Sequence, residues 1–292
     1  MTHAAHVRYD VAGGGPGRIA AELRAARMVW RREMLHFVRD RTGTLVALLQ
    51  PLLFLFVLGV GLGRLFAGAG GGSAADYLTF LFPGVLVMAA QPAAISVGAS
   101  IVWDRESGFL REMLVAPVGR GTLLIGKCVG GATVATCQGM VVLASAWLIH
   151  VPYRAGLFAL LLAELALTAL AMTVLGALIA VLIRRARTFT TVLSVLMTPL
   201  IFLSGLMFPV AAMPRWMSWL TLADPLTYAV DAMRRTIGGY EPARRSSSAG
   251  AALFEPVAWG GLRPTPVVEL AVVAAFTVLA LVLAARRFSR PG

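Results

Sequence analysis

Residues 103–127 read WDRESGFLREMLVAPVGRGTLLIGK. Asp104, Arg105, Glu106, Arg111 and Glu112 crowd together there, between two long apolar runs. Hydrocarbon cannot solvate such a group of charges, so the segment faces water or another protein. The apolar runs on either side then read as membrane helices, and the same pattern extends along the chain.

The chain has 292 residues, of which 58% are hydrophobic and 14% charged. That balance is too apolar for a soluble protein of this size and points to several membrane spans. The net charge of +12 does not indicate nucleic acid. Lys and Arg gather at the ends of apolar runs, as membrane topology requires, and form no basic stripe with interleaved aromatics. The first forty residues are polar and Arg-rich, without the apolar core of a signal peptide, so the first span stays in the mature protein. Cys128 and Cys137 fall on opposite faces of one helix, which disfavours a disulfide between them. Free thiols are expected, and no metal site.

Residues 1–17 read as a disordered tail ending in GGGPG. In residues 18–41, Ile19, Leu23, Trp30, Met34, Phe37 and Val38 recur at near-helical spacing among Arg24, Arg27, Arg31, Arg32 and Arg39. This is a basic amphipathic helix, expected to lie in the membrane interface or on a partner protein. Residues 42–292 then form one transmembrane domain. Its spans cover about 44–62, 77–102, 122–149, 155–183, 190–208 and 267–285, each at least ~19 residues and able to cross ~30 Å of hydrocarbon. With the N-terminus inside, 18 of the 26 basic residues fall on the inner side. Both termini are therefore expected in the cytoplasm. The predicted fold is all-α and integral to the membrane, with six spans.

Residues 209–266 are not a plain loop. Pro209, Pro214 and Pro225 punctuate two apolar runs too short to span, read as helices at about 214–222 and 226–236. Trp216, Trp219 and Tyr228 suit the headgroup level, so these helices are expected to enter the outer leaflet and return. The polar, Ser-rich stretch 241–250 reads as a mobile loop.

Gly121 to Lys127 fits the spacing G-x-x-x-x-G-K, but Cys128 stands where a P-loop needs Ser or Thr, and the segment opens a membrane helix. It reads as a helix start, with Lys127 snorkelling to the inner surface. The histidines His3, His6, His36 and His150 have no partners at metal-ligand spacing, and no Ser/His/acid grouping appears. Glu164 is the acidic residue well inside a span. It is a candidate for the transport pathway; alternatively it lies toward the outer end of its span and pairs with a neighbour. Gln138 is a second pathway candidate, or an interhelical hydrogen-bonding group. Gly126 and Gly130 form a GxxxG pair that serves packing within the chain or between two copies.

Two stretches resemble a known family. RESGFLREMLVAPVGRGTLLIGK (105–127) is similar to the first cytoplasmic loop of ABC-2 type permeases. PLIFLSGLMFPVAAMPRWMSWLTLADPLTYAVDAMRR (199–235) resembles their C-terminal block. The branch that looks nearest holds daunorubicin-resistance-type and nodulation-factor exporters. The resemblance implies a dimer, here a homodimer, of six-span subunits in a bacterial inner (plasma) membrane. A separate ABC ATPase subunit would bind ATP and magnesium, so this chain itself needs no cofactor and is no enzyme. The charged loop would be the coupling element, with Asp104, Arg105, Glu106, Gly108, Arg111, Glu112 and Pro117 in it. The N-terminal helix would also lie against the ATPase. The segment after span five, with Gly205, Pro209, Pro214, Trp216, Pro225 and Tyr228, would re-enter the outer leaflet and help close the exit. The cargo would be an amphiphile: a drug, a lipid or a lipid-linked glycan. Two other functions compete: a membrane-embedded lipid- or glycan-modifying enzyme, and a non-catalytic membrane anchor. For the enzyme, the outer segment offers Asp224, Asp231, Glu241 and Glu255 without motif spacing.

Overall fold

The computed structural model describes residues 16–68, 73–108, 119–149, 153–240, 254–258 and 263–289. Helix α1 (Pro16–Arg39) opens on a proline, whose fixed φ suits a first helical turn. It begins two residues earlier than the sequence pattern suggests. Asp40 breaks the chain direction, and its carboxylate accepts from the Gly43 amide at 2.9 Å, capping α2 (Arg41–Gly68). Ser73 caps α3 (Ala74–Glu106) in a reciprocal capping box with Asp76. Helix α4 (Arg120–Ala144) runs on into a 3-10 turn at Ser145–Ile149. Then follow α5 (Ala155–Leu182), α6 (Ala186–Leu203), a 3-10 turn at Val210–Ala212, α7 (Arg215–Ala223), α8 (Pro225–Tyr240) and α9 (Pro266–Ser289).

Helices α2 to α6 and α9 are long and apolar enough to cross a membrane, six among the described residues. Helix α3 is the axis of the bundle. At 33 residues it is about 50 Å long, so it extends beyond the hydrocarbon. It packs on α2, α4, α5, α6 and α8. Its Tyr77, Phe80, Leu81, Phe82 and Leu86 are fully buried. Gly98 lets α3 and α5 close: a Cβ there would lie 2.8 Å from the Gly176 carbonyl.

Helix α1 runs alongside the first half of α4. The Trp30 indole donates to the Thr133 hydroxyl at 3.2 Å. A Cβ on Gly126 would come within 3.1 Å of the Ala26 carbonyl, and one on Gly130 within 2.9 Å of Glu33 Cγ. The Gly126–Gly130 pair therefore serves a contact inside the chain. The other side of α1 leaves Ile19, Leu23, Met28, Leu35 and Val38 exposed.

The fifth span differs in register from the sequence expectation. It runs Ala186–Leu203 rather than 190–208. Its start is fixed by the Glu106 carboxylate, which accepts from the Ala186 amide at 3.0 Å. Its end is fixed by Gly205, whose φ of 78° takes the chain out of the helix.

Candidate functional site

Two polar constellations occupy opposite ends of the bundle, separated along α3 by about 36 Å from Phe80 to Asp104. The first surrounds the exit of α3. Asp104 forms a short ion pair with Lys127 on α4, and both side chains are largely buried. Lys127 Nζ also donates to the Ser100 hydroxyl at 3.0 Å. Arg105 donates to the Val181 carbonyl at 3.4 Å, near the end of α5. Glu106 caps α6 as described. Three successive residues thus tie the end of α3 to α4, α5 and α6. Gly108, with φ 76°, turns the chain away. Arg111, Glu112 and Pro117 lie outside the described residues.

This arrangement corrects two expectations. Lys127 does not snorkel to the surface; it sits two turns inside α4, facing α3, where a carboxylate meets it. Asp104 is not left to water but meets Lys127, and the half-buried Arg105 reaches the Val181 carbonyl. They fold back on their own chain, because the antiparallel α3–α4 packing sets Asp104 opposite Lys127.

The second constellation centres on α8, which is buried on nearly all sides. Arg234, 4% exposed, donates to the Gly205 carbonyl at 2.9 Å and the Phe80 carbonyl at 3.3 Å. Its guanidinium lies 3.8 Å from the centre of the Phe80 ring, a cation–π stack. Arg235 pairs with Glu269 of α9 at 2.9 Å and also donates to the Pro264 carbonyl. Asp231 accepts from the Val257 amide at 3.2 Å and lies within hydrogen-bonding reach of Glu269. Thr236 donates to Glu164 at 2.6 Å. One amphipathic helix therefore fastens α3, α5, the turn after α6 and α9 to one another. Among the sequence candidates, Glu164 is buried and accepts from Thr236 in this cluster. Gln138 lies elsewhere: it is buried on α4 and lines a cavity beside α1.

The remaining residues of the segment after span five divide by exposure. Trp216 and Trp219 on α7 are 65% and 75% exposed. Tyr228 is not at that level. It is buried, and its hydroxyl donates to the Leu222 carbonyl, closing the turn at Asp224–Pro225. Asp224 accepts from the Leu226 amide at 2.9 Å, and Pro225 starts α8. Gly205 supplies the turn that Arg234 grips, while Pro209 and Pro214 cap the 3-10 turn and α7.

These two constellations, one at each end of a six-span bundle, fall almost wholly within a stretch that fits a family model. Residues 24–237 match the model of the ABC-2 type transporter. The chain belongs to the ABC-2 type transporter family. Nodulation protein J of Rhizobium leguminosarum bv. trifolii is 30% identical over 216 residues, which is 73% of this chain and 80% of its own length. The inner membrane transport permease YadH of Escherichia coli K12 is 26% identical over 212 residues, 72% of this chain and 81% of its own. The E. coli K12 protein named "Probable multidrug ABC transporter permease YbhR" is 33% identical over 158 residues, 53% of this chain and 43% of its own. The match to the ABC-2 model includes α1 from its third turn onward and ends within α8. The Arg235–Glu269 pair thus joins the last turns of the matched region to α9 beyond it.

Sequence reasoning did not single out Glu269 or Arg234. For Glu269 the signal was an acidic residue in the first turn of a span. For Arg234 it was a basic pair on a helix otherwise rich in apolar residues.

Proposed function

We propose that this chain is the permease subunit of an ATP-driven exporter that moves an amphiphile out of a bacterial cytoplasm. A separate ATPase subunit binds ATP with magnesium and hydrolyses the ATP. The observation that carries this reading is the knot at the end of α3. Asp104–Lys127, Arg105–Val181 and Glu106–Ala186 link residues next to the 109–118 segment to α4, α5 and α6. A displacement of that segment by a partner reaches four helices at once. The family, and relatives named as transport permeases, support the same reading. Residues 18–41, with basic residues and an exposed apolar side, suit a position in the cytoplasmic interface beside the ATPase. Residues 1–15 lie outside the described residues, and 42–292 make up the transport domain. Exposed Leu45, Leu49, Leu53 and Val57 on α2, with Val192 and Val195 on α6, offer a face for a second copy of the chain. The exposed tryptophans of α7 and the shortness of α7 and α8 support re-entry into the outer leaflet. ATP binding closes the ATPase pair, and the two bundles rock to alternate access.

The test is transport by the purified permease reconstituted with its ATPase subunit in inside-out vesicles. Uptake of a fluorescent amphiphile should require ATP and both subunits. Uptake by the permease alone, or none with both, would overturn the reading.

Orientation has its own expected result. With Cys128 and Cys137 replaced, a cysteine at Ser107 should react with an impermeant maleimide only in opened cells. One in place of the exposed Glu255 should react in intact cells. The opposite pattern would invert the topology.

A further inference from the structure

A cavity of about 540 Å³ lies between α1, α2, α3 and α4. It is separate from the α8 cluster and falls in the size range of small-molecule sites, roughly 300–1,000 Å³. Asp104, ion-paired with Lys127, lines one end, and Gln138 and Pro92 line the other. Along α3 the span from Pro92 to Asp104 is about 18 Å by helical rise. The cavity is therefore long enough for a head group together with part of an apolar body.

Its lining carries the acceptors Gln138, Ser96, Ser100, Glu33 and Asp40, with Arg32 and His36 of α1 beside Asp40 and Glu33. Gln138 is 5% exposed, and its side-chain oxygen is buried without a hydrogen-bond partner. A buried acceptor left unpaired costs about 1–3 kcal/mol, which a donor on a ligand would recover. The hydroxyls of Ser96 and Ser100 donate to the Ala93 and Val97 carbonyls of their own helix, each at 2.8 Å, so each turns lone pairs outward. Ser100 already accepts from Lys127, whereas Ser96 remains open. Glu33 on α1 lines the same space and has no ion pair or hydrogen bond among the described residues. Asp104 is neutralised by Lys127. Between these groups Ala93, Val97 and Val134 give an apolar wall. An ammonium group brings three donors and no acceptor, which suits this lining. A carboxylate or phosphate head would be drawn to Arg32 and His36 on α1 and would leave the buried Gln138 oxygen unmatched.

We propose that this cavity binds the head of a cationic amphiphile, an ammonium group on an apolar body, with Gln138, Ser96 and Glu33 as its acceptors. The inference rests on the exporter reading for its role, but the binding itself does not require the ATPase.

Trp103 lines the cavity and reports on it. The full-length protein, with the other five tryptophans replaced by phenylalanine, is titrated with a long-chain bromoalkylammonium and followed by Trp103 fluorescence. Saturable quenching is expected. The bromoalkyl carboxylate of equal length should not saturate in the same range. Gln138→Leu and Glu33→Gln should each weaken ammonium binding by roughly tenfold or more, the factor set by one hydrogen bond to a charged group. Calorimetric titration of the unaltered chain should give the same affinity as the single-tryptophan protein. Equal binding of the carboxylate, wild-type binding by both variants, or no saturable heat would each overturn the site. A chain that binds the ammonium as described but supports no ATP-dependent export keeps the site and loses the exporter reading. Export of the ammonium unchanged in both variants keeps the exporter and loses the site.

Discussion

Arg234→Met should lower the temperature at which the detergent-solubilised protein loses its monodisperse peak by about 6–20 °C. The guanidinium is almost fully buried, donates to the Gly205 and Phe80 carbonyls, and stacks on the Phe80 ring. Asp231 lies one turn earlier on the same helix. Removing the cation leaves two carbonyls without their donor in a low-dielectric interior, and Asp231 without the neighbouring positive charge. Breaking one partner out of such a buried group costs about 3–5 kcal/mol. For a chain of this size each kcal/mol moves a melting midpoint by about 2–4 °C. Arg234→Lys keeps the charge but not the planar fork or the stack, so it should fall between the two. Arg263→Met is the control. Its pair with Glu255 is exposed, at 63% and 45%, and such pairs contribute about 0–1 kcal/mol. A midpoint for Arg234→Met within about 2 °C of wild type would mean that the α8 cluster does not hold the bundle together.

The spans were legible because each carries its own signal. An uninterrupted apolar run of bilayer length has no other stable environment. Six such runs, and the charged break at 103–127, were enough for the fold class. What escaped depends on residues far apart in the chain. The start of α6 is set by Glu106, 80 positions earlier, so local composition placed it four residues late. Lys127 looks like a surface lysine until α3 brings Asp104 beside it. Tyr228 shares its residue type with headgroup aromatics, yet the Asp224–Pro225 turn folds it inward. Arg234 and Glu269 were invisible for the same reason: their partners are Phe80, Gly205 and Arg235, on other elements or beyond a long connection. The Gly126–Gly130 pair announced a close contact but not its partner, since a small-residue stripe accepts α1 as readily as another subunit. Glu164 stood out by its position alone, but its partner Thr236, 72 positions later on α8, did not.

Glu106→Arg should reduce ATP-driven export at least tenfold while the ATPase still co-purifies. The Glu106 carboxylate holds the Ala186 amide, an unpaired donor at the start of α6. A negative group is favoured there by the helix dipole. An arginine brings like charge to that helix start, next to Arg184 and Arg185, and removes the acceptor. The end of α3 then loses its link to α6, while Asp104–Lys127 and Arg105–Val181 remain. Folding should survive, because Glu106 itself is exposed and one cap contributes about 0.5–2 kcal/mol. Glu106→Gln keeps an acceptor without the charge, so it should retain more export than the arginine variant. The readouts separate two roles for the same residue. Loss of export with the ATPase retained means that Glu106 passes motion from the 109–118 segment to α6. Loss of the ATPase as well means that it belongs to the docking surface. Export at the wild-type rate in the arginine variant would show that motion reaches the bundle without this link, leaving Asp104–Lys127 as the remaining charged tie between α3 and its neighbours.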